Sequence, residues 1–318
     1  MIVRLSDFSF PDSVGRLYSD PSGPWHLEIG FGDGRFWDQQ AACEPGVNYL
    51  GVELSGVSLL KAQTKAKGAG RGDLLTRMPA LFLLRSVIPR GGLDRIYVNF
   101  PDPWPKAEHA EHRLLQASFF NLAADRLRMS GEIWLTTDHL EYFEYAVEQA
   151  RQTGFYDVLE TNPPPAALET KYAQKWKTYG LPVYHARFRL IETGLHHPHT
   201  PVESISEDTP MPHALVKLPS LDVSGFTKQV FRHGETTVVL LEILMSSDGT
   251  IPYVLAHVEE PDLVQEVMVS LTPREDGLVL VRLERFAAPI ITSGIKRAVG
   301  DVAHYLESLG GQVQLRAY

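Results

Sequence analysis

Short apolar runs alternate with stretches of helical period along the first 190 residues. Runs at 25–29, 47–52, 94–99, 132–137, 155–160 and 183–191 read as strands. Between them, apolar residues recur at helical spacing over 34–43, 55–68, 113–129 and 139–153. Strands alternating with helices predict an α/β domain built on a parallel, doubly wound sheet. The pattern breaks at TGLHHPHTPVESISEDTPMP, residues 193–212, which holds four prolines and three histidines and no periodicity, and so reads as a linker. Beyond it TTVVLLEIL, PYVLAHVEE and EVMVSL…LVLVRLERF are strand-like, the last pair divided by the turn signal TPREDG. A helix then starts at Thr292 or Ser293 as N-cap, aligns Ile295, Val299, Val302 and Leu306 on one face, and stops before Gly310. The expected layout is a domain over 1–192, a linker over 193–212 and a small α+β domain over 213–318.

Composition narrows this picture. A length of 318 residues suits about two domains. With 44 % hydrophobic and 22 % charged residues, the chain is globular, not disordered or fibrous. No apolar run approaches the roughly 20 residues of a membrane span, and MIVRLSDFSFPDS lacks the basic region and apolar core of a signal peptide. A single cysteine, Cys43, makes no internal disulfide and suits a reducing compartment. The expected location is the cytoplasm, and Cys43 is expected to be a small core residue. Net charge is −9, unevenly spread: residues 1–200 carry 21 Lys+Arg against 23 Asp+Glu, and residues 201–318 carry 9 against 16. Nucleic acid, if bound, is therefore expected on the first domain, because phosphate contacts need clustered Lys and Arg.

The segment WHLEIGFGDGRF carries the first chemistry. A strand runs into Gly30, Gly32 and Gly34, and a helical pattern follows. Glycines let the chain turn sharply and let a ligand approach the free N–H groups of a helix start. The dinucleotide fingerprint wants a glycine where Arg35 stands. Glu28, two residues before the first glycine, would repel a pyrophosphate and suits a cationic cofactor such as S-adenosylmethionine. Glu53 ends the run VNYLGVE, where an acid at the tip of a second strand can accept both hydroxyls of an adenosine ribose.

The second motif is NFPDPWPK, residues 99–106. Three prolines in eight residues stiffen a loop directly after the apolar run LDRIYV. In open α/β sheets ligands bind beyond the carboxyl ends of the strands, and the strand ending at Asn99 is expected to neighbour the first. Trp104 offers a stacking surface for a planar base. Asp102 offers two acceptor oxygens to the ring N–H and exocyclic N–H₂ of guanine.

EIGFGDG, GVE, NFPDPWPK…HR, TTD and TKYAQKW…GLPVY, in this order, resemble the bacterial tRNA (guanine-N(7)-)-methyltransferases from about Pro24 to Glu192. The resemblance implies a Rossmann-like methyltransferase that uses S-adenosylmethionine to methylate a variable-loop guanosine of tRNA. It implies a cofactor site of Glu28, Gly30, Gly32, Gly34, Glu53 and Asn99, with Asp102 holding the guanine. Lys106 and Arg113 then lie close to the RNA, Asp138 on the substrate side, and Thr170 opens the T-x-[FY]-E element that closes over the site. The chain departs from the family in three places. Pro79 stands for the adenine-side acid, leaving the backbone N–H of Ala80 or Leu81. Ala173 stands for the acid of T-x-[FY]-E. Glu108 and Glu111 stand in a stretch that is typically basic.

Methylation at guanine N7 needs no general base, since that nitrogen has a lone pair and no proton. Lys61, Lys65, Lys67 and Arg71 read mainly as a solvated face, whereas Lys171, Lys175 and Lys177 are candidates for RNA contact. His196, His197 and His199 have no Cys or paired acid beside them, so they read as exposed linker residues and not a metal site. The acidic C-terminal domain clusters no catalytic residue types; it suits stabilisation of the first domain or a homo-oligomer formed through a sheet edge. Two other functions remain open on sequence: a methyltransferase acting on another RNA site or a small planar substrate, and a non-catalytic S-adenosylmethionine- or tRNA-binding protein.

Overall fold

Seven strands make the first sheet, in the order β3-β2-β1-β4-β5-β7-β6. They are β1 (Trp25–Ile29), β2 (Asn48–Val52), β3 (Leu74–Thr76), β4 (Leu93–Asn99), β5 (Leu127–Thr137), β6 (Tyr156–Glu160) and β7 (Tyr184–Leu190). Helices α1 (Arg35–Cys43), α2 (Gly56–Gly68), α3 (Ala80–Ser86), α4 (Ala117–Arg126), α5 (Leu140–Thr153), α6 (Pro165–Leu168) and α7 (Lys171–Thr178) connect them. This computed structural model describes residues 1–3, 22–178, 182–191, 211–286 and 289–318. It forms two units, Met1–Val202 and Glu203–Tyr318. All but the last two residues of the expected linker, and with them His196, His197 and His199, lie outside the described residues. Among the described residues no helix is long and apolar enough to cross a membrane.

Strands β1 to β5 are parallel, and β1 pairs with β4 as expected. The expectation of an all-parallel sheet fails at β7, which is antiparallel to both β5 and β6. A parallel return would need the chain to cross the sheet back to its starting edge. Here α6 and α7 stay at the carboxyl edge, where Tyr172 of α7 stacks on Phe100 at a centroid distance of 6.5 Å. The chain therefore re-enters from that edge.

One face of the sheet is apolar. Leu27, Ile96, Ile133 and Phe188 lie side by side across β1, β4, β5 and β7, each with 0 % exposure. The opposite face is polar but paired: His26, Glu28, Arg95, Tyr97, Glu132, Trp134 and Arg187 share it. Tyr97 donates to Glu44 (3.0 Å) and accepts from Arg95 (2.9 Å). Burial pushes the His26 imidazole down to about 4, so it faces Tyr97 and Glu44 neutral.

Several short elements went unseen in the periodicity. Strand β3 has three residues and α3 seven, too short for a repeat to show. The pattern over 113–129 splits, because Leu127 already pairs with Leu93 of β4. Buried Arg126 ties α3 down by donating to the carbonyls of Leu84 (2.6 Å) and Arg85 (2.8 Å), which have no partner inside the helix. Cys43, expected in the core, is exposed at the last turn of α1. That helix buries Phe36, Trp37 and Gln40; Cys43 is its last residue, one turn beyond the last buried position.

The second unit is an antiparallel sheet of order β14-β8-β13-β12-β11-β10-β9 with one helix against it. Its strands are β8 (His213–Lys217), β9 (Gln229–His233), β10 (Thr236–Met245), β11 (Pro252–Glu260), β12 (Leu263–Pro273), β13 (Leu278–Leu283) and β14 (Gln312–Ala317). Helix α8 (Ser293–Ser308) is capped by Thr292, whose hydroxyl accepts from the Ile295 N–H at 3.2 Å. Ile295, Val299, Val302 and Leu306 are fully buried against Val216, Leu240, Val254 and Val281.

Candidate functional site

The turn after β1 is built by glycine. Gly30, Gly32 and Gly34 all have positive φ, at 74°, 56° and 76°, a region that side chains avoid. The glycines divide the work. A Cβ on Gly34 would lie 2.8 Å from Ala62 of α2, so Gly34 is needed for helix packing. A Cβ on Gly30 or Gly32 would meet nothing within 4 Å, so these two leave open space at the turn. Glu53 ties the turn to the end of β2: its carboxylate accepts the Gly32 N–H (2.9 Å) and the Ser55 N–H (2.8 Å). Each carboxylate oxygen retains a second lone pair.

Glu28 is 1 % exposed, under that turn. Its carboxylate accepts from the Tyr49 hydroxyl at 2.5 Å and from the Asn99 amide at 3.5 Å. Burial is the largest influence and pushes the carboxyl up to about 7; the two hydrogen bonds pull it down, and nearby Glu53 pushes it up. A buried carboxyl hydrogen-bonded by two neutral donors, below an open glycine turn, fits a cationic ligand such as S-adenosylmethionine. Pro79, the N-cap of α3, provides no side-chain acceptor for the first N–H groups of that helix. Ala80, its first residue, thus offers a backbone donor in place of the acid seen in the family. These features fit the adenine, ribose and charged end of that cofactor.

The loop after β4 is held in an uncommon shape. Phe100 and Trp104 take φ of 51° and 42°, a conformation that is an outlier for bulky residues and costs about 1–3 kcal/mol each. Arg113 supports it. This arginine is buried, and it donates to the carbonyls of Pro103 (3.0 Å) and Trp104 (3.0 Å) and to Glu141 (3.0 Å). Its guanidinium also lies 4.7 Å from the centre of the Tyr145 ring. Arg113 was expected beside the RNA; its geometry is that of a strut under the loop. Asp102 stands exposed between the two strained residues, and Trp104 is 38 % exposed. Lys106 is exposed and lies 3.7 Å from Glu108.

Two further segments meet this edge. Asp138 is half-buried immediately after β5, followed by His139, which caps α5 by accepting the Tyr142 N–H at 3.2 Å. Thr170 precedes α7, accepting the Ala173 N–H (3.2 Å) and donating to the Ala167 carbonyl (2.9 Å). Ala173 is 3 % exposed, so the position of the family's acid is filled by a buried methyl group. The structure thus gathers Glu28, Glu53, Asn99, Asp102, Asp138 and Ala80 at the carboxyl ends of β1 to β5, and α7, which follows Thr170, lays Tyr172 on Phe100 of the same edge.

Sequence reasoning missed Tyr49, Tyr172, His109 and His112. Tyr49 sits four residues before Glu53 and reads as core; its pairing with Glu28 gives it a polar task. Of the basic candidates, Arg71 points inward to Asp38 (3.0 Å) and Asp73 (2.9 Å), and Lys65 lies 3.7 Å from Asp33. Lys61 and Lys67 are exposed. The side chains of Lys175 and Lys177 lie outside the described residues.

A family model described as a putative methyltransferase matches residues 22–186. A tRNA (guanine-N(7)-)-methyltransferase of Deinococcus radiodurans is 52 % identical, covering 100 % of both chains. One of Thermus thermophilus is 39 % identical over 98 % of each chain. A third, of Bacillus velezensis, is 32 % identical and covers 51 % of this chain and 77 % of its own. The second unit is therefore part of what is shared with the first two relatives. With a half-chain family match and full-length identity above half, the chain belongs to the tRNA (guanine-N(7)-)-methyltransferase family.

Proposed function

We propose that this protein transfers the methyl group of S-adenosylmethionine to ring nitrogen 7 of a variable-loop guanosine in tRNA. The observation that carries the reading is the strut-supported loop at the end of β4, which presents Asp102 and Trp104 beside the glycine turn of β1. When bound, S-adenosylmethionine supplies an electrophilic methyl group on a sulfonium centre. Glu28 faces the cationic end, oriented by Tyr49 and Asn99. Glu53 accepts the ribose hydroxyls while its carboxylate keeps the Gly32 turn in place. The Ala80 N–H, with Gly30 and Gly32 leaving the approach open and Gly34 seating the helix behind it, serves the adenosine side.

Asp102 accepts the N1–H and N2–H of guanine and so turns N7 toward the methyl group. Trp104 stacks on the base, and Asp138 and Thr170 complete the substrate side. The N7 lone pair forms the new N–C bond as the C–S bond breaks, its electrons staying on sulfur. No proton leaves N7, so catalysis rests on alignment and no general base is required. Arg113 acts through the loop it supports, and Lys106 reaches phosphate. This reading places the protein with tRNA in the cytoplasm. The sheet-edge strands β9 and β14 support self-association through the second unit.

The test is Asp102→Asn. An amide cannot present two acceptors to guanine, so kcat/KM for tRNA should fall at least about 100-fold, the scale of a lost bidentate charged contact. Affinity for S-adenosylmethionine should be unchanged. Near-normal turnover by this variant would overturn the role assigned to Asp102.

A further inference from the structure

The aromatic surface of the β4 loop continues past Trp104. His109 and His112 occupy positions i and i+3 of the six-residue 3₁₀ helix Ala107–His112, where side chains eclipse. Their rings lie 5.9 Å apart at 26°. Each also meets the indole of Trp104, at 5.9 Å for His109 and 5.1 Å for His112. None of the three is buried: side-chain exposure is 39 % at His109 and 52 % at His112. A fold seeking only stability would not hold an indole exposed on a strained backbone with two imidazoles beside it. The charges around the patch compensate each other. Glu108 lies 3.6 Å from His109 and 3.7 Å from Lys106, and Glu111 lies 3.9 Å from His112. Arg113 is turned inward to the loop and to Glu141. The patch therefore offers ring faces to a ligand, with little net charge for phosphates.

Removing a guanosine from its stack also strips its neighbour of a stacking partner. We propose that His109 and His112, continuing the surface of Trp104, form a stacking subsite for the nucleobase adjacent to the target guanosine. The proposal rests on the tRNA guanosine reading above. It gives the segment a task that replaces the phosphate grip lost with the basic residues, and the ligand class is one unpaired nucleobase of the same RNA. Stacking of this kind is tolerant of sequence, because every base has a π-face.

The experiment measures binding of the full chain to unmodified tRNA transcripts, with S-adenosylhomocysteine present. One transcript is intact, and two are abasic at either nucleotide flanking the target. Wild type should lose about tenfold in affinity when one flanking base is missing, the size of a single base–aromatic stack. The His109→Ala/His112→Ala double variant should bind the intact transcript about tenfold more weakly and be indifferent to that abasic site. His112→Phe in an otherwise wild-type chain should keep tight binding, since it keeps a ring face and loses the capacity for charge. Losses that simply add in the double variant would overturn the subsite, as would a His112→Phe defect equal to that of the alanine changes, which marks a charge contact. Methylation of the intact transcript by wild type checks the underlying reading separately. Tight binding and methylation with additive losses sink the subsite alone, whereas failure to bind any transcript sinks both.

Discussion

At the scale of single residues the decisive group is Glu28. Burial holds its carboxyl at about 7, against 4.5 for the free side chain. The folded protein thus keeps a proton that the unfolded chain releases at lower pH. Stability from this group is highest below pH 4.5, falls as pH rises toward 7, and stays reduced above it, by about 3 kcal/mol at roughly 1.4 kcal/mol per unit. Glu28→Gln stays neutral, so without cofactor it should melt higher than wild type at pH 8, with the gap closing below pH 5. The same substitution should weaken S-adenosylmethionine binding. In wild type, cofactor affinity should rise with pH up to about 7 and then level, because a cation favours the ionised carboxylate; a titration series in which Glu28→Gln keeps that slope would refute the assignment. Glycines and acids at this scale were legible in the sequence, since left-handed turns and a paired acid interval leave few alternatives. Tyr49 was not, because its partner Glu28 lies 21 positions away and only the β1–β2 register brings them together.

At the scale of elements, the loop of residues 99–106 and its strut act together. Three prolines restrict the chain, but they do not by themselves place Phe100 and Trp104 at positive φ; the Arg113 contacts to two loop carbonyls help fix that shape. Arg113→Ala leaves those carbonyls and Tyr145 without their cation and should destabilise the protein by about 3 kcal/mol in denaturant titration. Cofactor binding should survive while transfer to tRNA collapses, and a variant as stable and active as wild type would show that the prolines suffice alone. The charge of the neighbouring 3₁₀ helix is a second element-scale matter. Restoring cations with Glu108→Lys and Glu111→Lys should tighten tRNA binding and steepen its dependence on log salt by about two phosphate contacts, near 0.9 each; an unchanged slope would place the RNA backbone elsewhere. The stiff loop was legible in the sequence but the strut was not, because an Arg beside an expected RNA site reads as a phosphate ligand. Sequence reasoning also missed the reversal of β7, since strand direction leaves no mark on the hydrophobic pattern, and with that reversal α7 stays at the carboxyl edge with Tyr172 on Phe100.

At the scale of the molecule, each unit closes around its own core, the first on the Leu27–Ile96–Ile133–Phe188 layer and the second beneath α8. The alternation of strands and helices in the first half, and the hairpin-like strands of the second, are both legible in the spacing of apolar residues. Strands β8, β9 and β14 are not, being five or six residues long with mixed polarity. The uneven charge agrees with this division: the near-neutral first unit carries the site, and the acidic second unit, with 9 Lys+Arg against 16 Asp+Glu from residue 201 onward, is poorly suited to phosphate. The central claim is that this arrangement methylates guanine N7 in tRNA. The most direct measurement is transfer of labelled methyl from S-adenosylmethionine to unmodified tRNA, followed by nucleoside digestion, with Asp102→Ala run in parallel. Label in 7-methylguanosine from the variable loop, absent with the variant, is the predicted result. Label in any other nucleoside, or no transfer while the cofactor still binds, would contradict it.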